Sequence, residues 1–488
     1  MTIQQINMKK IFVYILLLFS CSITAQQHYI APTDSLVIKK LSQWQDWKFG
    51  LLMHWGTYSQ WGVVESWSIC PEDEGWTQRD SIHGKTYNEY KKNYEALQTT
   101  FNPVNFNPDK WATAAKDAGM KYVVFTTKHH DGFCMFDTKQ TDYKITSAKT
   151  PFSTNKKSNV AKEVFNAFRK QGMATGAYFS KPDWHIDNYW WPYFPPKDRN
   201  VNYDPKKYPQ RWNAFKDFTY NQIKELMSEY GKMDILWLDG GWVRPKYTID
   251  TAIDWQRTIK DEQDIDMPKI AAMARKYQPG LLVVDRSVGY EYENYVTPEQ
   301  QIPSSIFPYP YPWETCMTMA NSWSYVPHDK YKSTNELIHT LVKVVGSGGN
   351  LLLNVGPDPN GEWDTAAYTR LREIGEWMKI NGEAIYNTTQ ADLPIYNAVY
   401  FTQKKDTSAV YILKLIKEND QSLMNGVMFE ITDLYKNKFK HIQILGTKII
   451  LPIKRYQVDK GVFKLKIEIN DGNAIKELRH AAVFKLIK

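Results

Sequence analysis

The chain has 488 residues and a formal net charge of +8, so it is longer than one ordinary domain and mildly basic for its size. Its charges are interspersed, without a basic tract that alternates with aromatic residues, which argues against a nucleic-acid partner. Apolar residues make up 43% of the chain, and the aromatic residues include 18 Trp and 31 Tyr. This composition allows a large core, and Trp and Tyr side chains suit stacking on sugar rings.

The N-terminus has the pattern of an export signal. Two lysines precede an apolar run over residues 11–19, and small residues lead to Ala25. Because the run is too short to span a bilayer, cleavage after Ala25 is expected to remove residues 1–25 as a signal peptide and leave a periplasmic or extracellular protein. The alternative is lipidation of Cys21, which lies in a bacterial lipoprotein-like box and would anchor the chain to the outer membrane. No other segment is predicted to span a membrane.

Three further cysteines remain after Cys21. Cys70, Cys134 and Cys316 are an odd set without CxxC spacing, which excludes a disulfide scaffold or a zinc ribbon. One disulfide and three buried thiols are both compatible with this pattern.

Strand-like apolar runs alternate with amphipathic helical stretches through most of the chain. The runs are apolar at successive positions, which is typical of parallel strands buried on both faces. Strands are predicted over residues 49–53, 122–126, 175–178, 235–238, 281–284 and 351–355. Helices are predicted from Asn107-Pro108 toward Gly119, over residues 160–171 and 212–230, and from a capping box at Ser333 and Glu336. This alternation predicts a (β/α)8-like TIM barrel over residues 30–388.

The pattern changes after the predicted barrel to short strands separated by polar turns. These strands are predicted over residues 398–401, 409–413, 426–431, 442–451, 463–469 and 481–487. They indicate a small antiparallel β-sandwich domain over residues 389–488. A packing role is favoured for this domain over carbohydrate binding.

Polar side chains follow most of the predicted barrel strands. His54 follows the first strand, His129 and His130 follow the second, Asp239 ends the fourth and Arg286 follows the fifth. Because the C-terminal ends of parallel barrel strands converge on one face, these side chains are expected to form a polar pocket there.

Three kinds of catalytic site are disfavoured by the motifs. His54, His129, His130 and Asp239 could be nominated as metal ligands, but the chain has no HxH or HExxH spacing. It also has no GxSxG elbow, and the glycine-rich residues 346–349 lack the lysine of a phosphate-binding loop. No metal or other cofactor is therefore predicted.

Paired carboxylates among aromatic and histidine side chains fit glycoside hydrolysis best. Asp239, placed at the end of a buried strand before Gly240-Gly241, suits the nucleophile, although alone it would be interpreted as a turn or capping residue. Spacing does not select its partner, for which the candidates are Glu65, Glu291, Glu293, Glu299 and Glu314.

Several motifs occur in order between Trp47 and Tyr386. They include His54-Trp55-Gly56, Lys128-His129-His130-Asp131-Gly132-Phe133, Leu236-Trp237-Leu238-Asp239, Thr297-Pro298-Glu299 and Gly349-Asn350-Leu351-Leu352-Leu353-Asn354. Together they resemble the α-L-fucosidases of glycoside hydrolase family 29. The resemblance implies a catalytic barrel followed by a β-sandwich and no metal. It also implies hydrolysis of terminal α-L-fucosides of oligosaccharides or glycoconjugates, with retention through a covalent fucosyl-enzyme.

The resemblance also implies roles for individual residues. Asp239 matches the nucleophile and Glu299 matches the acid/base, with Glu291 and Glu293 as alternatives. The residues that match sugar-binding positions are His54, Glu65, Trp67, His129, His130, Tyr178, Trp237, Arg286 and Trp323. Trp323 matches an aromatic side chain that packs on the fucose methyl. The structural alternatives are that Trp237 and Tyr178 are barrel core and that Arg286 pairs with Asp285.

Two stretches depart from the family pattern. Residues 68–100 and 243–268 are interpreted as inserted loops at the mouth of the pocket, where they are predicted to restrict the leaving group to branched α-1,3/1,4-linked fucosides. Two other hypotheses stay open at this point. One is a glycosidase of the same fold that acts on another sugar, such as a β-galactoside, and the other is a degenerate barrel that only binds carbohydrate.

Overall fold

A computed structural model describes most of the chain, covering residues 29–71, 79–303, 310–393, 395, 398–417, 427–432, 439–459, 462–467 and 478–487. The predicted signal peptide over residues 1–25, with Cys21, lies outside the described residues. Every helix within them is too short or too polar to cross a lipid bilayer.

Seven parallel strands form the central sheet. Their bounds are β1 Phe49–Met53, β2 Tyr122–Lys128, β3 Ala174–Ser180, β4 Ile235–Asp239, β5 Leu282–Asp285, β6 Glu314–Thr318 and β7 Asn350–Val355. They are hydrogen-bonded in the order β5-β4-β3-β2-β1-β7-β6. Six of these strands were predicted, and nearly all of their residues are buried, as expected for a parallel sheet covered on both faces.

The gap between β5 and β6 is spanned by irregular chain. Glu293 forms a backbone bridge to Val284 in β5, and Glu299 forms one to Cys316 in β6. Residues 293–299 therefore occupy the place of an eighth strand, and the expected (β/α)8-like barrel is confirmed with seven regular strands.

Eight α-helices are described in the barrel region. They are α1 Ser35–Trp47, α2 Tyr87–Ala96, α3 Pro108–Asp117, α4 Val160–Lys170, α5 Pro209–Glu229, α6 Met267–Tyr277, α7 Thr334–Gly346 and α8 Thr365–Asn381. The predicted capping box of Ser333 and Glu336 begins α7. The stretch 68–100, expected to be a loop, contains α2, which a second capping box of Thr86 and Glu89 begins. Residues 72–78 of that stretch lie outside the described residues.

Helix α1 closes the N-terminal end of the barrel. Its buried residues Val37, Leu41 and Trp44 belong to the same core cluster as the inward-facing side chains of the strands. The carbonyl of Trp44 accepts a hydrogen bond of 2.7 Å from Nδ2 of Asn350, the first residue of β7. With this end closed, the C-terminal strand ends are the face on which a site can open.

The C-terminal region forms two antiparallel sheets. One has the order β13-β12-β16-β10-β9-β8, and the other has the order β11-β15-β14. The bounds are β8 Thr388–Gln390, β9 Val399–Lys404, β10 Val410–Leu415, β11 Val427–Thr432, β12 His441–Ile444, β13 Ile450–Pro452, β14 Lys454–Asp459, β15 Val462–Ile467 and β16 Ala481–Ile487. The predicted antiparallel domain is confirmed, while its exact boundary at residue 389 stays a prediction.

One predicted strand in this region is wrong. Residues 442–451 form the hairpin of β12 and β13 instead of a single strand. Gly446 lies in the connection with a φ of +79°, a left-handed conformation that glycine adopts easily and that interrupts the strand. The predicted strands over 426–431 and 463–469 run outside the described residues at 426 and 468–469.

The six-stranded sheet is buried on both faces at its central strands, β10 and β16. In β10, Val410 and Ile412 point into the core of the C-terminal domain, whereas Tyr411 and Leu413 pack against the barrel core. The indole Nε1 of Trp377 in α8 also donates to the carbonyl of Ala481, at 3.1 Å. The sheet is thus packed on the outside of the barrel, as the predicted packing role requires.

The three cysteines are buried thiols, and no disulfide joins Cys70, Cys134 and Cys316. The interpretation of these cysteines as three buried thiols is therefore confirmed, rather than the one with a disulfide.

Candidate active site

A cavity of about 810 Å³ opens at the C-terminal ends of the barrel strands. The structure brings all of the predicted site residues to its wall, namely His54, Glu65, Trp67, His129, His130, Tyr178, Trp237, Asp239, Arg286, Glu299 and Trp323. Tyr178 and Trp237 also belong to the barrel core. Being part of the barrel core therefore does not keep these two side chains out of the cavity wall.

Asp239 ends β4 and places its carboxylate in the cavity. Oδ2 accepts a hydrogen bond of 2.7 Å from the Tyr178 hydroxyl, and Oδ1 accepts bonds from the Gly240 amide at 2.7 Å and from Arg286 Nη1 at 3.0 Å. His130 Nε2 lies 3.9 Å from Oδ2. Burial alone would raise the pKa of Asp239, but Arg286 and these hydrogen bonds hold the pKa well below its usual value. Asp239 is therefore an ionised carboxylate.

Arg286 bridges two carboxylates of different exposure. Its Nη1 contacts Asp239, and its Nη2 donates to Oε2 of Glu299. The Glu299 side chain is 43% exposed, against 15% for that of Asp239. The guanidinium also lies over the Trp237 ring, with its carbon 5.3 Å from the ring centroid. One guanidinium thus holds a sheltered carboxylate and an outer carboxylate in the same cavity.

Asp285 has a different partner from the one that the structural alternative proposed. Its carboxylate accepts a hydrogen bond from the buried ammonium of Lys181. Asp285 is therefore paired with Lys181, while Arg286 lines the cavity.

Three of the glutamates considered as partners of Asp239 lie outside the cavity wall. Glu291 is exposed. Glu293 is buried and accepts hydrogen bonds from the amides of Ser287 at 3.1 Å and Gly289 at 2.6 Å. Glu314 lies inside the barrel, where it accepts a bond of 3.2 Å from Trp237 Nε1. Burial raises the pKa of Glu293 to about 8 and that of Glu314 to about 7, so both are structural acids.

Glu65 lines the cavity together with Asp239 and Glu299. It is 1% exposed, and its Oε1 accepts a hydrogen bond of 2.8 Å from the Ser324 amide. Burial raises the pKa of Glu65 to about 8, so its carboxyl is mainly uncharged at neutral pH and can donate a hydrogen bond. Among the carboxyl groups that the structure describes, the cavity thus presents one ionised acid, one neutral acid and one outer acid.

His54 is held in one tautomer by a chain of hydrogen bonds. Asn354 Nδ2 donates to the carbonyl of Trp323 at 2.6 Å, which leaves Asn354 Oδ1 as the acceptor that faces His54 Nδ1 at 2.8 Å. His54 Nδ1 therefore carries the proton, and Nε2 is left as an acceptor. Burial lowers the pKa of His54 to about 4, so the ring is uncharged.

The adjacent histidines are also uncharged. His129 Nδ1 lies 2.5 Å from the hydroxyl of Ser66, which is itself fixed by the amide of Asp131 at 2.9 Å. Burial lowers the pKa of His129 well below its usual value and that of His130 to about 3. His130 Nδ1 has no hydrogen-bond partner among the described residues. Neutral imidazoles can both donate to and accept from hydroxyl groups, which suits an uncharged polyol.

The same region contains three residues that could ligate a metal. Among the described residues, His129, His130 and Asp239 bring one ligand atom each to within 4.8 Å of one another. However, Arg286 contacts the Asp239 carboxylate at 3.0 Å, and its positive charge opposes a cation there. The donor set fits hydroxyl groups better than a metal ion.

Several further residues of the cavity wall have no role predicted from the sequence. They are Arg199, Trp242, Trp255, Ser287, Asn321 and Ser322. Trp242 stands three residues after Asp239, and Trp255 lies in the predicted inserted loop. Their positions in the sequence are therefore a weak indication that both could reach the cavity. Arg199 lies in the long connection between β3 and α5, where no local pattern marks it.

Comparisons of the sequence and of the structure with known proteins both find α-L-fucosidases. The sequence model of the family described as Alpha-L-fucosidase matches residues 16–383. The plasma α-L-fucosidase of Homo sapiens is 28% identical over 79% of this chain and 78% of its own length. The α-L-fucosidase of Dictyostelium discoideum is 27% identical over 90% of this chain and 91% of its own. The solved structure of α-L-fucosidase isoenzyme 1 from Paenibacillus thiaminolyticus matches with a TM-score of 0.69 and 27% identity, covering 93% of this chain and 99% of that one.

Proposed function

This chain belongs to the α-L-fucosidase family, glycoside hydrolase family 29, and we propose that it removes terminal α-L-fucosyl residues from oligosaccharides or glycoconjugates with retention of configuration. The observation that carries the mechanism is the bridge from Arg286 to both Asp239 and Glu299. Carboxylates that one guanidinium can span lie close together, and a short separation is what a retaining pair requires. The predicted signal over residues 1–25 supports action outside the cytoplasm.

The two carboxylates divide the chemistry according to their surroundings. Asp239, held ionised by Arg286 and the Tyr178 hydroxyl, attacks the anomeric carbon and forms a covalent fucosyl-enzyme. Glu299 stands at the more exposed position, where the leaving group departs. In its protonated form it gives its proton to the leaving oxygen, and its carboxylate then takes a proton from the water that releases fucose.

The remaining wall matches the chemistry of fucose, which carries three hydroxyl groups and a methyl group. His54, His129 and His130 supply uncharged donors and acceptors. The Trp323 ring, centred 5.2 Å from that of His54, supplies an apolar surface for the methyl group. The sugar site is therefore expected to bind a neutral deoxy sugar without a cofactor.

The proposed linkage preference is based on a residue of the cavity wall. Trp255, in the inserted stretch 243–268, lines the same cavity as Glu299. The face of this indole can pack against a second sugar of the leaving group, and branched α-1,3/1,4-linked fucosides are the proposed substrates. Equal rates on fucosyl-α-1,2-galactose and on branched trisaccharides would contradict this preference.

The test of the proposed function is the configuration of the first product. Hydrolysis of 4-nitrophenyl α-L-fucoside followed by proton NMR should show α-L-fucose first, with the β-anomer appearing later by mutarotation. Initial appearance of β-L-fucose would refute retention. A panel of other nitrophenyl glycosides separates the alternatives, because release from a β-galactoside alone indicates another sugar specificity and no release at all indicates a binding barrel.

A further inference from the structure

His54 and His129 lie side by side in the cavity wall, where each ring leaves one nitrogen for a ligand. Their ring centroids are 5.5 Å apart, and Tyr178 packs against both rings, at 5.3 and 5.8 Å. In each ring Nδ1 is already engaged, by Asn354 in His54 and by Ser66 in His129. Among the described residues neither Nε2 has a hydrogen-bond partner, and neither is sealed from solvent. Both Nε2 atoms are therefore open to the cavity that these side chains line.

The hydroxyl of Ser66 fixes the tautomer of His129. Its oxygen accepts a hydrogen bond of 2.9 Å from the Asp131 amide and lies 2.5 Å from His129 Nδ1. Within the described part of the chain, Nδ1 is the one acceptor that the hydroxyl proton meets. A proton on Nδ1 would place two donors at the Ser66 oxygen and leave the hydroxyl proton without an acceptor. His129 therefore accepts at Nδ1 and carries its proton at Nε2.

One turn, Trp323-Ser324, fixes the side chains that orient the two histidines. The Trp323 carbonyl accepts a hydrogen bond from Asn354 Nδ2 at 2.6 Å. The Ser324 amide donates to Glu65 Oε1 at 2.8 Å, and the Ser324 hydroxyl oxygen accepts from the Glu65 amide at 3.3 Å. Glu65, directly before Ser66, has a φ of +34°, a strained conformation for a residue with a side chain that persists where the surroundings hold it. Asn354 and Ser66 are thus set in place before a ligand binds.

The two histidines thereby present complementary groups to the cavity. His54 carries its proton at Nδ1, so its Nε2 accepts, whereas His129 donates from Nε2. Among the groups of fucose, only a hydroxyl both donates and accepts. One hydroxyl oxygen can bond both nitrogens if they lie within about 6 Å of each other, which ring centroids 5.5 Å apart permit. We propose that Ser66 is a positioning residue, which holds His129 in the tautomer opposite to that of His54 so that the pair binds one sugar hydroxyl in a single orientation.

The proposal rests on the proposed function for its ligand, but the tautomers can be measured on the unliganded protein without any turnover. In a chain that contains isotope-labelled histidine, NMR distinguishes a ring nitrogen that carries a proton from one that does not. The spectra of His54→Asn and His129→Asn assign the signals, because each variant lacks one ring. His54 should carry its proton at Nδ1 and His129 at Nε2. The same tautomer in both rings would overturn the proposal, whatever the activity on 4-nitrophenyl α-L-fucoside, which tests the proposed function alone.

Substitutions assign the tautomer of His129 to Ser66. In Ser66→Ala both tautomers should be populated, so the ring-nitrogen signals of His129 should move toward the average of the two forms. Ser66→Cys, which keeps the size with a weaker donor, should give an intermediate shift. Ser59→Ala is the matched control, because the buried Ser59 hydroxyl donates to the Gly56 carbonyl at 2.8 Å and should leave His129 unchanged. A His129 spectrum that is the same in the wild type and both Ser66 variants would overturn the role of Ser66.

The binding of L-fucose analogues tests the orientation of the hydroxyl. Each of the three hydroxyl groups other than the anomeric one is replaced by hydrogen or by fluorine, and inhibition constants are measured against 4-nitrophenyl α-L-fucoside. At one position both replacements should weaken binding about tenfold, with fluorine no better than hydrogen, since fluorine cannot donate to His54. In Ser66→Ala this loss should shrink about two- to fivefold, because the affinity of the intact sugar falls with the fraction of His129 in the required tautomer. Tighter binding of the fluorine analogue at every position, or equal losses in Ser66→Ala and Ser59→Ala, would overturn the proposal.

Discussion

The charge of Asp239 depends on neighbours that the chain supplies from separate strands. Tyr178 comes from β3 and Arg286 follows β5, and both favour the ionised carboxylate against the effect of burial. The local motif around Asp239 supplies only one further donor, the Gly240 amide. This is why the motif alone fits a turn residue as well as a nucleophile, whereas the assembled site fits a nucleophile.

Tyr178→Phe tests this account at the level of a single atom. The change removes the hydroxyl that donates to Asp239 Oδ2 but keeps the ring that stacks on Trp237. Because a hydrogen bond to a charged group contributes about 1.5–3 kcal/mol, kcat/KM should fall about 10- to 100-fold. Loss of this donor also raises the pKa of Asp239, so the acidic limb of the pH profile of kcat/KM should move to higher pH.

Tyr122→Phe is the control for that prediction. Tyr122 is also a fully buried barrel tyrosine, but its hydroxyl donates to Glu314 in the barrel interior. Its removal should leave the acidic limb in place. An equal shift of the limb in both variants, or no shift in Tyr178→Phe, would contradict a direct effect on Asp239.

At the scale of the elements, the stretch 243–268 is tied directly to the loops after β4 and β5. Arg244 donates to the carbonyls of Gly241 and Ser287, which follow Asp239 and Arg286 closely in the chain. A Cβ on Gly241 would lie 2.8 Å from the carbonyl oxygen of Arg286, so the second glycine of the motif allows this close approach. The stretch 243–268 and the proposed catalytic pair thus share one backbone scaffold.

Arg244→Lys should therefore affect a large leaving group more than a small one. An ammonium cannot reach carbonyls on three segments at once, so Trp255 and the loop after β5 lose their common anchor. We expect kcat/KM to fall about tenfold on a branched fucosylated trisaccharide and less on 4-nitrophenyl α-L-fucoside. Arg275→Lys is the matched control, because Arg275 donates to Leu281 and Asn294 near the opposite end of β5. Equal losses on both substrates, or in both variants, would indicate general destabilisation instead.

The elements also show what the sequence could and could not predict. Six barrel strands were predictable because each is a run of apolar residues, and the strand ends then placed His54, His129, Asp239 and Arg286 on one face. Strand β6 was missed because its sequence, Glu314-Thr315-Cys316-Met317-Thr318, is largely polar. Its first residue, Glu314, is nevertheless buried, because Tyr122 and Trp237 donate hydrogen bonds to its carboxyl group inside the barrel.

Side chains that owe their position to tertiary contacts were beyond the sequence pattern. Arg199 is held by Trp184 and Tyr189 from its own long loop, and Asn354 orients His54 across a sequence separation of 300 residues. Neither relation produces a local periodicity. The family resemblance supplied the residues of the sugar site, but it gave no prediction for the side chains that hold them.

The whole molecule is a barrel that α1 closes at one end, with the cavity at the other end and a β-domain packed on its side. This architecture buries several acids, including Glu314, whose pKa burial raises to about 7 from an ordinary value of 4.5. Between these two pH values the folded chain holds a proton at Glu314 that the unfolded chain has released. The contribution of this bound proton to the free energy of unfolding is therefore fully present below about pH 4.5 and is lost as the pH rises through about 7.

Glu314→Gln should weaken that pH dependence. Glutamine keeps an acceptor oxygen for Trp237 Nε1 and has an NH2 group that can donate to the Tyr122 hydroxyl, but it does not titrate. The melting temperature of the variant should therefore fall less than that of the wild type between pH 5 and 8, as measured by calorimetry. The difference corresponds to at most about 1.4 kcal/mol per pH unit. Glu376→Gln, at an exposed residue paired with Arg372, is the surface control and should leave the wild-type slope unchanged. An equal change of melting temperature with pH in Glu314→Gln and the wild type would contradict a raised pKa at Glu314.

The central claim, that Asp239 is the nucleophile, is tested most directly by Asp239→Gly with 4-nitrophenyl α-L-fucoside and added azide. The variant should be nearly inactive alone, because no carboxylate remains to form the fucosyl-enzyme. Azide should restore nitrophenol release by occupying the place of the carboxylate, and NMR should identify the product as β-L-fucosyl azide. Turnover close to that of the wild type without azide, or an α-configured azide product, would contradict the claim.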